Sequence, residues 1–321
     1  MELINNMDDM IITVDNLQKS YKDVPVLKGV NFSVKRGSIF TLLGSNGAGK
    51  TTTVKILSTL MAADRGDVFI DGVSINESRK VKEKISLTGQ YASVDEALSG
   101  RENMDMICAL RGVVAEKKEL IERLLTQFEL SKSADRKVST YSGGMRRKLD
   151  IAMSLIGNPA VIFLDEPTTG LDPQSRLVLW EIIKALAEAG TTIFLTTQYL
   201  EEAERLADYI AILNEGTIIA EGTVEALRKS LPSHVITFSF ESLLEMEKAL
   251  NLLQDYQVRN SCSDKDAWAL AVAVSDGIDQ LRDILNILQE NSVKVLQFEQ
   301  NTPTLEDVFL NLINEKEVEI I

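Results

Sequence analysis

The chain has 321 residues, 45% hydrophobic and 26% charged, which excludes the composition of a disordered chain and leaves room for about two domains. Its formal charge of −14, from 34 basic and 48 acidic side chains, argues against a nucleic-acid partner. The longest apolar run, Ala267 to Val274, covers eight residues, well short of a membrane span, and the acidic start MELINNMDDM lacks a signal-peptide pattern.

The first elements read as strands. Ile11–Val14 and Val30–Val34 are short and rich in β-branched residues. Ser38–Leu43 is a largely apolar run, the pattern of a strand buried on both faces, and it enters a glycine-rich loop followed by a helical pattern over Thr51–Leu60. Ile85–Gly89 reads as another strand, and Asn103 to Leu130 as a helical insertion. A helix over Arg146–Ile156, a strand at Val161–Leu164, a helix over Arg176–Glu188 and a strand at Thr192–Thr196 follow. Such alternation predicts a mostly parallel α/β sheet.

The chain changes character near Ser230, across Leu231-Pro232-Ser233. From Leu231 to Ile321 there are 16 acidic and 6 basic side chains, so −10 of the −14 lies in this segment. Ile236, Phe238 and Phe240 alternate as a strand, and Leu243, Leu244, Leu250 and Leu253 have helical spacing. Strands near Gln257–Ser261 and Ala267–Val274 flank the polar turn Ser263–Asp266, before a helix at Asp276–Gln289 and a strand at Val293–Phe298. The order βαββαβ predicts a small ferredoxin-like α+β domain. A last helix, Leu305–Asn314, follows Thr304 as N-cap, with Asp307 three residues on. Two domains are expected, 10–230 and 231–321. Glu241, Glu245, Asp279 and Asp283 read as solvated helix surface. Cys108 and Cys262 match no metal spacing and read as idle thiols.

Three motifs carry chemistry. Gly44-Ser45-Asn46-Gly47-Ala48-Gly49-Lys50-Thr51 fits G-x-x-x-x-G-K-[ST] between a strand and a helix. Its backbone N–H groups and the helix N-terminus suit phosphate oxygens, Lys50 suits the β- and γ-phosphates, and the Thr51 hydroxyl suits Mg²⁺. In Val161-Ile162-Phe163-Leu164-Asp165-Glu166 an apolar strand ends in two carboxylates: Asp165 suits Mg²⁺, and Glu166 suits the water that attacks the γ-phosphorus. Ser142-Gly143-Gly144 before a helix is a second anion turn, which takes its weight from its order relative to the other two.

Together these motifs resemble those of ABC-transporter ATPase subunits over about residues 10–230. The resemblance implies a P-loop NTPase fold: a RecA-like core, an antiparallel β subdomain and a helical subdomain at about 91–157. It places Tyr21 as the aromatic that stacks on adenine and extends the phosphate loop to Thr52. It makes Gln90 the glutamine that contacts Mg²⁺ and faces the membrane partner, and Asp172 the aspartate that couples two sites in a dimer. Two positions depart from the family pattern. Tyr141 and Met145 replace the outer letters of L-S-G-G-Q, and Gln198 stands where a switch histidine is expected. Since His234 is the only histidine and lies beyond the motifs, catalysis is expected to lean on Glu166, with Lys50 and Gln198 beside the γ-phosphate.

Thr196-Thr197-Gln198-Tyr199-Leu200-Glu201-Glu202-Ala203, the run from Ser142 to Ala152 and the tail Thr304–Leu310 further resemble daunorubicin-resistance-type subunits of ABC-2 exporters. That kinship implies an ATP- and Mg²⁺-dependent ATPase that drives efflux of a drug-like, lipid or polymer substrate. It implies a homodimer at the cytoplasmic face of the cell membrane, joined to a separate transmembrane permease. A non-transport ABC ATPase acting on nucleic acid or ribosomes, and an importer ATPase, are the alternatives. Against the first, only 92 positions separate Lys50 from Ser142, and there is one ATPase motif set.

Overall fold

A computed structural model describes residues 9–230, 234–256, 258–260, 268–274, 277–301 and 304–318. The linker Leu231–Ser233, Cys262, the turn Ser263–Asp266 and the side chain of His234 lie outside the described part. The chain divides into two compact units, Met1–Val224 and Glu225–Ile321.

The first unit is built on a six-stranded sheet. Its strands, edge to edge, are Thr217–Gly222, Tyr209–Asn214, Ile39–Leu43, Thr192–Thr197, Val161–Asp165 and Ile85–Thr88. All neighbours pair in parallel except Thr217–Gly222, which joins the edge as a hairpin. Side chains alternate between faces, and both faces are covered. Ile162, Leu164, Ile193 and Leu195 enter one core with Met104, Leu125, Leu149 and Trp180. Val161, Phe163, Phe194 and Phe40 enter another with Ile12, Phe32 and Ile70. The central strands are therefore buried on both faces and largely apolar, as their sequence predicts.

An antiparallel sheet of Val24–Lys35, Met10–Tyr21, Arg65–Ile70 and Val73–Ser74 supplies the second core. Phe32 stacks on Phe40 at 5.1 Å, and Phe40 on Phe194 at 5.3 Å, joining the two sheets through rings. The first two strands are far longer than the sequence predicts. Register shifts between Val14 and Leu17, beside Asn16 at φ 48, break the alternation that would have revealed their length.

The expected helical insertion is two helices, Gly100–Leu110 and Lys117–Gln127, parted near Gly112 at φ 69. Ser99 and Glu102 form a capping box at the first. A third helix, Gly143–Ser154, starts at Ser142, whose hydroxyl accepts from Met145 N at 3.3 Å. The helix after the phosphate loop runs Lys50–Leu57, ending before the expected Leu60, and Thr59 beyond it has φ 59.

In the second unit the strands lie in the order Val258–Asn260, Trp268–Val274, His234–Phe240 and Val295–Asn301, all antiparallel. With the helices Leu243–Leu252 and Gly277–Glu290 this is the ferredoxin-like arrangement. Ile236, Phe238, Leu270, Val272, Ile284 and Leu288 share its core. Thr304 and Asp307 cap the helix Leu305–Val318 reciprocally: Asp307 N donates to Thr304 Oγ1 at 3.2 Å, and Thr304 N to Asp307 Oδ2 at 2.8 Å. Glu245 corrects the expectation of a purely solvated face. It accepts from Lys248 Nζ and from Lys294 N, each at 2.9 Å, ties that hold its carboxyl below the usual range.

Candidate active site

The parallel strands deliver their C-terminal ends to one place. After Leu43 the chain turns sharply through Gly44, whose N–H donates to Thr197 O at 3.2 Å; a Cβ there would strike the carbonyl of Leu213. Gly49, at φ 114, starts the next helix in the left-handed region, and a Cβ there would meet Leu27 at 2.7 Å. The tight loop needs its glycines for space as well as for conformation.

Lys50 and Glu166 meet inside this loop at 3.3 Å, with only 4% and 9% of their side chains exposed. Lys50 Nζ also donates to Gly44 O at 2.8 Å and Ser45 O at 3.0 Å. Asp165 Oδ1 accepts from Thr196 Oγ1 at 2.6 Å and from Thr51 Oγ1 at 3.4 Å. Glu166 Oε2 accepts from Gln90 Nε2 at 3.3 Å and Thr169 Oγ1 at 3.4 Å. Thr51 and Asp165 offer the hard oxygens that Mg²⁺ prefers while leaving positions for water and substrate phosphates, so the residues present fit that ion.

The other expected residues stand as follows. Tyr21 is half-exposed, and its hydroxyl donates to Met61 Sδ at 3.2 Å. Ser45, Asn46, Gly47 and Ala48 form the loop crest; Gly47, at φ 85, has open space around it, and Thr52 follows within the helix. Gln198 is half-buried just past the strand Thr192–Thr197. Ser142, Gly143 and Gly144 begin another element, the helix Gly143–Ser154, with Gly143 facing Leu171 and Gly144 facing Ser175. Asp172 caps the helix Pro173–Glu188 by accepting from Ser175 N at 2.9 Å and Ser175 Oγ at 2.6 Å, bonds that lower its pKa.

The departure at Tyr141 has a structural account. Its ring is buried, and its hydroxyl donates to Ser133 O at 2.6 Å, fastening the turn to the segment that follows those two helices. Gly100 leaves room for that hydroxyl, since a Cβ would approach it to 2.5 Å.

Sequence reasoning missed the buried polar groups beneath the site. Arg147 is 4% exposed and donates to Pro167 O, Gly89 O, Asp165 O and Asp150 Oδ2. Glu202 accepts from Trp180 Nε1 at 2.9 Å, and burial pushes its carboxyl above the usual range despite donors at Thr197, Trp180 and Thr168. The i,i+3 pairing of Arg147 with Asp150 is the one signal that the sequence offered, and its burial is invisible there.

Burial outweighs the attraction of Arg147 and pushes the Asp150 carboxyl up to about 6. Between the ordinary value of 3.8 and this one, the folded chain holds more protons than the unfolded chain. Stability contributed by this group is therefore full at low pH and falls as pH rises through that window. We expect the stability of wild type minus that of Asp150→Asn to drop by roughly 2–3 kcal/mol from pH 4 to pH 7, measured by urea unfolding. A difference independent of pH would count against the assignment.

Helices inserted between the phosphate loop and a second serine–glycine turn mark an ATP-binding cassette. The family described as ABC transporter matches residues 27–169, and that described as ATP-binding protein DrrA1-3-like, C-terminal domain, matches residues 222–313. A daunorubicin resistance ATP-binding protein of Streptomyces coeruleorubidus is 40% identical over 95% of this chain and 96% of its own length. A Nod factor export ATP-binding protein of Bradyrhizobium diazoefficiens is 34% identical over 96% of this chain and 97% of its own. Among solved structures, an ATP-binding subunit of an ABC transporter aligns with a TM-score of 0.62 at 30% identity, covering 68% of this chain and 92% of that one. A cassette in a dimeric post-hydrolysis state, bound to ADP and Pi, aligns with a TM-score of 0.61 at 27% identity, covering 66% and 98%. The chain belongs to the ATP-binding subunits of ABC transporters, and within them to the daunorubicin-resistance type. It is an ATPase that takes ATP with Mg²⁺.

Proposed function

We propose that the chain hydrolyses ATP to drive a drug-like substrate out of the cell through a separate permease of the ABC-2 class. The observation that carries this is the convergence of Lys50, Thr51, Asp165, Glu166 and Gln90 at the strand ends, in a chain whose kinship to drug-resistance proteins extends through its second unit. Among the described residues no helix is long and apolar enough to cross a membrane, so the reading includes a membrane partner and a peripheral place at the cytoplasmic face.

Lys50 and the loop N–H groups bind the phosphates, and Glu166 orients the attacking water and takes its proton. Thr51, Asp165 and Gln90 would hold Mg²⁺, which would supply charge neutralisation for the triphosphate. Tyr21 stacks on adenine, and Gln198 senses the γ-phosphate without changing charge. Ser142–Gly144, at the start of the helix Gly143–Ser154, serve the second copy of a head-to-tail homodimer, where Asp172 couples the sites.

The test uses inside-out vesicles from cells that co-express this chain with a candidate ABC-2 permease. We expect ATP-driven accumulation of a fluorescent anthracycline, abolished by Glu166→Gln. ATP hydrolysis without accumulation would remove the drug substrate from this reading while leaving the ATPase in place.

A further inference from the structure

Arg147 is a buried cation with no part in the chemistry above, yet its bonds surround that chemistry. Its Nε donates to Pro167 O at 2.8 Å, one NH group to Gly89 O at 2.6 Å, and the other to Asp165 O at 3.4 Å. Gly89 immediately precedes Gln90. Asp165 and Pro167 flank Glu166 on either side. Parallel pairing of the two strands ends at Thr88 and Leu164, so the guanidinium continues their connection where the backbones leave the sheet.

The segment it grips is strained. Glu166 has φ 48, a left-handed conformation that costs a non-glycine residue roughly 1–2 kcal/mol and persists only where the surroundings over-determine it. Glu166 N is fixed by Thr196 O and Thr196 Oγ1, each at 3.1 Å. Arg147 holds the peptide carbonyls before and after it. A planar fork of five donors can serve three carbonyls at once, which a lysine ammonium on a flexible stem does not match. Asp150, equally buried, accepts from Arg147 at 3.4 Å and supplies the compensating charge.

We propose that Arg147 is a positioning residue for hydrolysis, setting Glu166 and Gln90 together by clamping the backbone on both sides of the site. The proposal rests on the roles given to Glu166 and Gln90 in the proposed function. It assigns Arg147 no contact with nucleotide, so it acts on turnover and not on substrate affinity.

The experiment measures Mg-ATP hydrolysis, nucleotide affinity and thermal midpoint for the full chain and three variants. Arg147→Lys keeps the charge and loses the fork. Arg147→Met leaves Asp150 buried without its partner. Arg147→Met with Asp150→Leu removes both charges and keeps the volume apolar. We expect kcat to fall roughly 100-fold in all three, the cost of misplacing a reacting group by about 1 Å, with nucleotide Kd within about threefold of wild type. The paired substitution recovers the thermal midpoint lost in Arg147→Met and leaves kcat low. Wild-type kcat in the paired variant would reduce Arg147 to charge neutralisation and overturn the proposal; so would wild-type kcat in Arg147→Lys, or a loss confined to affinity. Glu166→Gln runs alongside as a control. If it turns over like wild type, the functional reading fails first, and the positioning role falls with it.

Discussion

Replacing Glu166 with glutamine is expected to leave ATP binding intact and to cut turnover by roughly 10²–10⁴-fold, the usual contribution of a positioned general base. The substitution keeps shape: the amide still meets Gln90 and Thr169, whose contacts with the carboxylate are 3.3 and 3.4 Å. What it removes is the capacity to accept a proton and a negative charge 3.3 Å from Lys50. Losing that charge frees the ammonium for phosphate and lessens repulsion toward the γ-phosphate, so affinity holds or rises. With hydrolysis blocked and binding retained, the nucleotide-bound dimer should accumulate. Steady-state hydrolysis at saturating Mg-ATP, with light scattering in the same buffer, reads both effects. Turnover within a few-fold of wild type would falsify the role of Glu166 as base.

What could be read beforehand follows from how each feature is encoded. The phosphate loop and Asp165–Glu166 are contiguous runs whose residue types are dictated by local backbone and charge, so they appear as motifs. The strands Val161–Asp165 and Thr192–Thr197 appear because both faces are buried, which makes every position informative. The edge hairpin Tyr209–Asn214 and Thr217–Gly222 escaped notice, though its turn, Glu215-Gly216 with φ 47 and 83, is a two-residue turn of the type such hairpins favour.

Arg146 and Arg147 show the other limit. They are identical neighbours in the sequence, yet Arg146 pairs with the exposed Glu96 while Arg147 is sealed beneath Glu166. Which of two adjacent arginines is buried is decided by strand ends far away in the chain. No local pattern carries that information. The residues proposed to do the chemistry were therefore legible, while those packed beneath them were not.

Lys50 stands on both sides of that division, and its removal separates them. Its ammonium holds the carbonyls of Gly44 and Ser45 and the carboxylate of Glu166, all within 3.3 Å. Lys50→Ala is expected to weaken nucleotide binding by tens- to a hundred-fold, since hydrogen bonds to charged groups are worth about 1.5–3 kcal/mol each. It should also destabilise the nucleotide-free protein, because Glu166 is left buried without its cation. Lys50→Met with Glu166→Gln tells the two effects apart. The buried charge is gone, so the thermal midpoint should return toward wild type, yet nucleotide affinity should stay low because nothing replaces the phosphate's cation. Calorimetric titration with a non-hydrolysable ATP analogue and Mg²⁺ measures the affinity of each variant. An alanine variant that binds as tightly as wild type contradicts the phosphate-loop assignment whatever its stability, for then the loop backbone alone would be carrying the triphosphate.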